Sequence, residues 1–325
     1  ATPTPFAIIY SHKPQFLLIK KGDIGMKIGI DIGGSHVAAG LINQTGTIIC
    51  KSEKNISNKL NEEDFSKHLI KTIIEQIEVV LEKSKQDITS VNLIGIAVPG
   101  MVSETSIIKA ENLHIKNLPI AKEINKFFNI PIKLRNDAKC AALAEKEYGS
   151  LKKAKDAMFL TIGTGIGGAV FLNGELLVPK KYEGFEIGHM TIERNGLECN
   201  CGRRGCFEKY ASMTALKGKV AQKLGKDEIT GEELKEILEN IEDAEINNIV
   251  DEYIENLALG IASLINIFEP EVISIGGSFA HYEKTLLNKL NSRLKKEELF
   301  NKNNMPKIVL AKLKNDAGII GSVLN

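Results

Sequence analysis

The chain contains no tryptophan, and aromatic residues make up only 6% of its 325 positions. A site that stacks a ligand ring on indole is therefore excluded. Charge of one sign is also missing: 42 Lys and Arg stand against 41 Asp and Glu, a net +1. With no global field to recruit nucleic acid or an anionic membrane, neither is expected as a partner. No apolar run approaches the roughly 20 residues of a bilayer span. Residues 1–25 lack a basic start and are interrupted by His12, Lys13 and Pro14, which argues against a secretory signal and for a cytoplasmic location. Cysteine is scarce, with five residues, yet three of them crowd into one short stretch.

That stretch is Cys199-Asn200-Cys201-Gly202-Arg203-Arg204-Gly205-Cys206, ten residues after His189. A Cys-x-Cys-x4-Cys run is tight enough that its thiolates converge, and Gly202 and Gly205 let the backbone turn without a Cβ clash. Three thiolates and the His189 imidazole complete a tetrahedral zinc shell with no open position. The other reading is a disulfide with one thiol left over. Cys50 and Cys140 lie in apolar stretches and read as small buried side chains.

A chain of this length can bury a large core, and two lobes are expected. Strands are predicted at 27–32, 37–42, 91–98, 130–134, 157–162, 169–172, 272–275 and 308–311. Helices are predicted at 62–85, 120–128, 138–148, 212–224, 231–240, 244–268 and 282–296. The first helix carries Phe65, Leu69, Ile73, Ile74, Ile77 and Leu81 at helical spacing, a core face. Residues 1–26, with Pro3, Pro5 and Pro14 ahead of Met26, read as a leader or extension, or alternatively as a native arm. A small α/β lobe is expected over 27–135, joined by the C-terminal helix 312–325, and a large α/β lobe with the zinc loop over 136–311.

A faint repeat supports two similar lobes. Shifted by 130 residues, the run from Asp31 to Asn43 overlies that from Thr161 to Asn173, each copy a strand, a glycine turn and a strand. Such turns offer bare backbone N–H groups to a phosphate chain, though each alone is equally a tight β-hairpin. Neither is a Walker A loop or a dinucleotide fingerprint. Gly276-Gly277, after the strand at 272–275, is a third glycine turn, suited to an adenine-ribose lying against backbone.

Arg135-Asn136-Asp137-Ala138 ends a strand and starts a helix. The Asp137 carboxylate there is either a helix N-cap or a base accepting a proton from an alcohol that attacks a phosphoryl group.

These motifs together resemble the ROK family of bacterial sugar kinases and related repressors, over the whole chain from Met26 to Asn325. Asp31-Ile32-Gly33-Gly34-Ser35 resembles its first phosphate motif, Asn136-Asp137-Ala138 its catalytic motif and Thr161 to Gly168 its second phosphate motif. Glu186-Ile187-Gly188-His189 with Cys199 to Glu208 resembles its zinc signature. The resemblance implies an actin-like (ribonuclease H-like) two-lobed α/β kinase, with ATP and Mg²⁺ in the interlobe cleft, usually a homodimer. It implies Asp137 as the base on the sugar 6-hydroxyl, with Asn112, Asn136, Glu186, His189 and Glu208 on the sugar. It places Gly33, Gly34, Ser35, Thr164, Gly165 and Gly277 along the nucleotide and Asp31 near magnesium. Zinc held by His189, Cys199, Cys201 and Cys206 is then structural. Glu186 and Glu208 read equally as surface charges, and Asp31 as a turn cap.

Ser35-His36 stands where the family usually has Thr and then a basic or small residue. The family's frequent Trp after Asn112-Leu113 is absent, with Ile115 the nearest apolar substitute. An enzyme would transfer the γ-phosphoryl of ATP to a hexose; a repressor would bind sugar and DNA. The short leader and neutral charge favour the kinase. Glucokinase is the first expectation, with N-acetylmannosamine, N-acetylglucosamine and fructose kinases as alternatives.

Overall fold

A computed structural model describes residues 25–56, 61–179, 185–297, 299 and 305–325. Of the expected leader, only Gly25 and Met26 fall among these, and Met26 already opens β1. The first sheet comprises β1 (Met26–Ile32), β2 (His36–Ile42), β3 (Ile48–Asn55), β4 (Val91–Val98) and β8 (Ile132–Asn136). β5 (Met101–Val102), β6 (Ile107–Ala110) and β7 (Ile115–Leu118) form a small antiparallel sheet inserted between β4 and β8. The second large sheet comprises β9 (Ala157–Ile162), β10 (Ile166–Leu172), β11 (Glu175–Leu176), β12 (Val272–Gly276) and β13 (Lys307–Leu310).

The two large sheets repeat one plan. Their orders are β3-β2-β1-β4-β8 and β11-β10-β9-β12-β13. In each, the first two connections are antiparallel hairpins and the last two pairings are parallel. The hairpins differ by one residue: Ile32 pairs with Val37, whereas Ile162 pairs with Ile166. A uniform shift of 130 thus matches β1 to β9 but sets β2 one residue out of step with β10.

The helices are α1 (Glu62–Ser84), α2 (Ile120–Asn125), α3 (Asp137–Tyr148), α4 (Glu208–Ala211), α5 (Met213–Lys223), α6 (Gly231–Glu239), α7 (Ala244–Phe268), α8 (Asn288–Leu294) and α9 (Ala317–Ser322). Asn61 caps α1 by accepting from Asp64 N–H, and acidic residues fill the first turn, complementing the helix dipole. Its buried face, Phe65, Leu69, Ile73, Ile77 and Val80, seals one side of the first sheet against Ile28, Ile30, Ile32, Val37 and Ala39. Each such side chain contributes about 1.5–3 kcal/mol by leaving water. α7 joins the core of the second sheet, where Tyr253, Leu257, Ile261 and Leu264 cluster with Met158, Leu160 and Ile275.

α9 closes the opposite face of the first sheet. Ile319 packs with Ala38, Ile42 and Leu93. The sheet's Gly29 and Gly95 have no side chain, and a Cβ on either would collide with the carbonyl oxygen of Ile319 or Ser322. Lys27, Lys133 and Arg135 donate to the carbonyls of Val323 and Leu324, satisfying acceptors past the helix end.

Some boundaries depart from expectation. β3 was not predicted because it is an edge strand whose residues Lys51, Ser52, Glu53 and Lys54 face water at least in part. β5 to β7 are too short to show a period. The strand expected at 130–134 runs from Ile132 to Asn136 instead. Pro131 lacks an N–H to donate, and pairing continues to Val98↔Asn136. The helix expected at 282–296 is broken into a 3₁₀ turn at Ser278–Tyr282, a π turn at Glu283–Leu287 and then α8.

Candidate active site

The glycine turns and Asn136-Asp137 lie at the carboxyl ends of parallel strands, where open α/β sheets bind ligands. Asp31 to Ser35 follow along β1, Asn136-Asp137 close β8, Thr164-Gly165 follow β9 and Gly277 follows β12. At the start of α3 the two roles weighed for Asp137 separate. The cap is Asn136: its Oδ1 accepts from Lys139 N–H at 3.3 Å, and its Nδ2 donates to the Gly100 carbonyl at 3.1 Å. Asp137 is the first helical residue, and its Oδ1 accepts from Ala138 N–H at 2.8 Å. Burial pushes its carboxyl up to about 6, against the N–H of Ala138, and the charge of Glu186 adds to the rise. The Asp31 carboxyl is pushed up to about 7, first by burial and then by Asp137, with Lys51 opposing. The Asp31 and Asp137 carboxyls are thus coupled to each other, and Asp137 also feels the charge of the exposed Glu186.

Gly277 has φ +72°, and a Cβ there would stand 2.6 Å from the carbonyl oxygen of Ile162. Only glycine fits, which lays the β12 turn directly on the β9–β10 hairpin. The carbonyl of Gly163 accepts from Met213 and Thr214 N–H, tying that hairpin to the start of α5. Gly34, Ser35 and Thr164 are exposed at their hairpin tips.

His189, Cys199, Cys201 and Cys206 converge, their ligand atoms all within 4.8 Å of one another. Cys199 Sγ lies 3.6 Å from His189 Nδ1, and Cys201 Sγ 3.6 Å from Cys206 Sγ. A zinc tetrahedron with Zn–S bonds of about 2.3 Å has S–S edges of roughly 3.8 Å. All five cysteines are free, so the disulfide alternative is not realised. Burial and the neighbouring Cys201 and Cys199 push the Cys206 thiol up to about 12. Without a cation the thiolates oppose one another, whereas a thiophilic dication would satisfy all of them; the donor set fits zinc. The loop is held by Cys199 N–H to the Arg203 carbonyl at 2.8 Å and by Gly205, whose φ of +74° and contact with Glu193 exclude a side chain.

This cluster is joined to the rest. Glu208 Oε1 lies 3.4 Å from Cys199 Sγ and 3.6 Å from His189 Nδ1. Its Oε2 would be 2.6 Å from a Cβ on Gly165. Zinc loop and second glycine hairpin therefore meet at Glu208. Glu186 is exposed and reaches Asp137 through its charge. Asn112 stands exposed on the turn Glu111–Leu113 that leads from β6 to β7. It connects only indirectly, since Gly100, which holds Asn136, packs on Lys109 and Ala110 of β6.

Sequence reasoning passed over two residues here. Gly100 was signalled by Pro99-Gly100 directly after a buried strand. Lys139 is fully buried in the first turn of α3, and its charge favours the ionised form of Asp137. Its only signal was one cation inside the run from Ala138 to Ala144.

Comparison with known proteins places this arrangement. The model of the ROK family matches residues 27–324. The glucokinase of Thermotoga maritima is 30% identical over 312 residues, covering 91% of this chain and 95% of that protein. The xylose repressor of Caldicellulosiruptor bescii is 29% identical over 328 residues, covering 96% of this chain and 80% of that protein. A glucokinase from Streptomyces griseus, solved with glucose and AMPPNP, superposes with a TM-score of 0.78 at 24% identity, covering 92% and 98% of the two chains. The fold is thus the two-lobed, actin-like α/β fold of the ROK sugar kinases.

Proposed function

The chain belongs to the ROK family, and from that premise we propose that it is an ATP-dependent hexose kinase acting on the sugar 6-hydroxyl, with glucose as its first substrate. The observation that carries this reading is the half-buried Asp137 carboxyl, pushed up to about 6 at a helix start that Asn136 already caps. Burying a carboxylate with no capping duty costs stability. A base of raised pKa, matched to a hydroxyl proton, is a use that offsets the cost.

In this mechanism Asn136, Glu186, His189, Glu208 and Asn112 hold the sugar so that its hydroxyl points at Asp137. Asp137 accepts the proton late, as the oxygen attacks the γ-phosphorus in line with the leaving group. Gly33, Gly34, Ser35, Thr164, Gly165 and Gly277 offer backbone and hydroxyl donors along the nucleotide, keeping side chains out of its path. Asp31 would hold magnesium, and a dication there would offset the burial and the neighbouring Asp137 charge that push its carboxyl up. Magnesium there would supply charge neutralisation on the phosphates. His189, Cys199, Cys201 and Cys206 would hold zinc with all four ligands from the protein, where it would serve as a structural staple for the rim carrying His189 and Glu208. Assembly as a homodimer in the cytoplasm belongs to the same reading, as does a small lobe over 27–135 joined by 312–325 and a large lobe over 136–311.

N-acetylmannosamine, N-acetylglucosamine and fructose remain alternative substrates, because room beside the sugar 2-position is a matter of loop shape. A sugar-responsive repressor is the second reading, favoured by the likeness to the xylose repressor. A coupled assay of ADP release across these sugars tests both. Turnover with one hexose is expected, and sugar binding without turnover under any donor would overturn the kinase in favour of the regulator.

A further inference from the structure

The β1–β2 hairpin holds one side chain with no role in the kinase reading. Ile32 pairs with Val37, and Gly33 N–H donates to the His36 carbonyl at 2.9 Å, so Gly33 and His36 face each other across Gly34-Ser35. Alternate residues of a strand share a face. Asp31 and Gly33 therefore point the same way, with Ala38 opposite Asp31 and His36 opposite Gly33. The other face, with Ile30, Ile32, Val37 and Ala39, is sealed into the core under α1. His36 accordingly stands on the face of Asp31.

Gly33 leaves space on that face, and the imidazole occupies it. A Cβ on Gly33 would lie 2.6 Å from Cε1, 2.9 Å from Nδ1 and 3.1 Å from Nε2 of His36. Gly34 beside it is exposed, with nothing within 4 Å of where its Cβ would be. The ring is half-buried, and among the described residues neither of its nitrogens has a hydrogen-bond partner. An imidazole always carries at least one N–H, and a hydrogen bond from it to an ionised phosphate oxygen is of the strong, charge-assisted kind.

We propose that His36 is a binding residue for the polyphosphate chain of the nucleotide, donating a ring N–H to a phosphate oxygen held over Gly33-Gly34. This rests on the kinase reading and adds a side-chain donor to a loop that otherwise presents backbone and the Ser35 hydroxyl. It differs from simple space filling, in which the ring only occupies the gap above Gly33. His36→Phe keeps a ring of similar size without an N–H, and His36→Gln keeps a donor without the ring.

The test is calorimetric binding of AMPPNP with Mg²⁺, and separately of adenosine, to the wild-type chain and both variants. His36→Phe is expected to weaken AMPPNP binding about tenfold, the scale of one charge-assisted hydrogen bond, and to leave adenosine binding unchanged. His36→Gln is expected to stay within about threefold of wild type. AMPPNP binding to His36→Phe as tight as to wild type would overturn the inference alone. Equal loss of adenosine and AMPPNP would do the same, since the ring would then only shape the loop. A wild-type chain that binds no AMPPNP overturns the kinase reading and this inference together.

Discussion

The tripeptide Asn-Asp-Ala occurs at two equivalent places. Asn136-Asp137-Ala138 opens α3 directly after β8, the last strand of the first sheet, and Asn315-Asp316-Ala317 opens α9 after β13, the last strand of the second. The two aspartates have opposite surroundings. Asp316 has a side chain 48% exposed and pairs with Lys51 at 2.7 Å, a surface contact of small worth. Asp137 is half-buried, and the desolvation of its carboxyl pushes it up to about 6. α3 has a side-chain cap and α9 has none. The same three letters thus yield a candidate base in one half and a solvated acid in the other; burial makes the difference, not the motif.

Substitution at the two aspartates is the sharpest way to break that contrast. Asp137→Asn is expected to lower kcat by roughly 10²-fold or more with little change in sugar or nucleotide affinity, whereas Asp316→Asn stays within about twofold. Steady-state kinetics with direct binding checks this, and equal losses would erase the distinction. The acid limb of the rate comes next. Asp137 works ionised and its folded pKa is raised, so kcat/KM should climb with pH and level off above about 6. Asp316→Asn should leave that limb in place, and a flat profile from pH 5 to 8 would argue against Asp137.

The inserted elements offer a smaller contrast with the repeated frame. One zinc per chain is expected by metal analysis. Cys201→Ala should weaken sugar binding about tenfold and nucleotide binding far less, because the loop carries His189 and Glu208. Matching losses for both ligands would make the loop a general stabiliser. The mildest comparison is between glycines of the two halves. Gly277→Ala should cost about 1–3 kcal/mol in denaturant unfolding, from its left-handed backbone and the contact with Ile162. Gly34→Ala, in open space, should fall within about 0.5 kcal/mol.

What the sequence revealed follows the range of the interactions involved. α1 and α7 were legible because long apolar faces repeat at helical spacing, and the metal cluster because its cysteines are near neighbours in the chain. β3 was hidden by the polar character of an edge strand, and β5 to β7 by their brevity. The approach of Asp31 to Asp137, and of Glu208 to Gly165, was not written in any local pattern. The first depends on strand order within one sheet, and the second on a helix start meeting a distant hairpin. The repeat was visible, but not the single-residue difference in its hairpins, because only pairing register reveals it.

The packing of α9 also bears on the order in which the molecule can form. β1, β2 and β4 leave the ribosome early, yet the face they present through Ala38, Ile42 and Leu93 is covered by Ile319, nearly 300 residues downstream of β1. Until that helix emerges, the earliest strands carry an uncovered apolar surface and glycines with nothing against them. The first sheet is thus begun before the second and completed only after it, so its closure waits on synthesis of the whole second sheet.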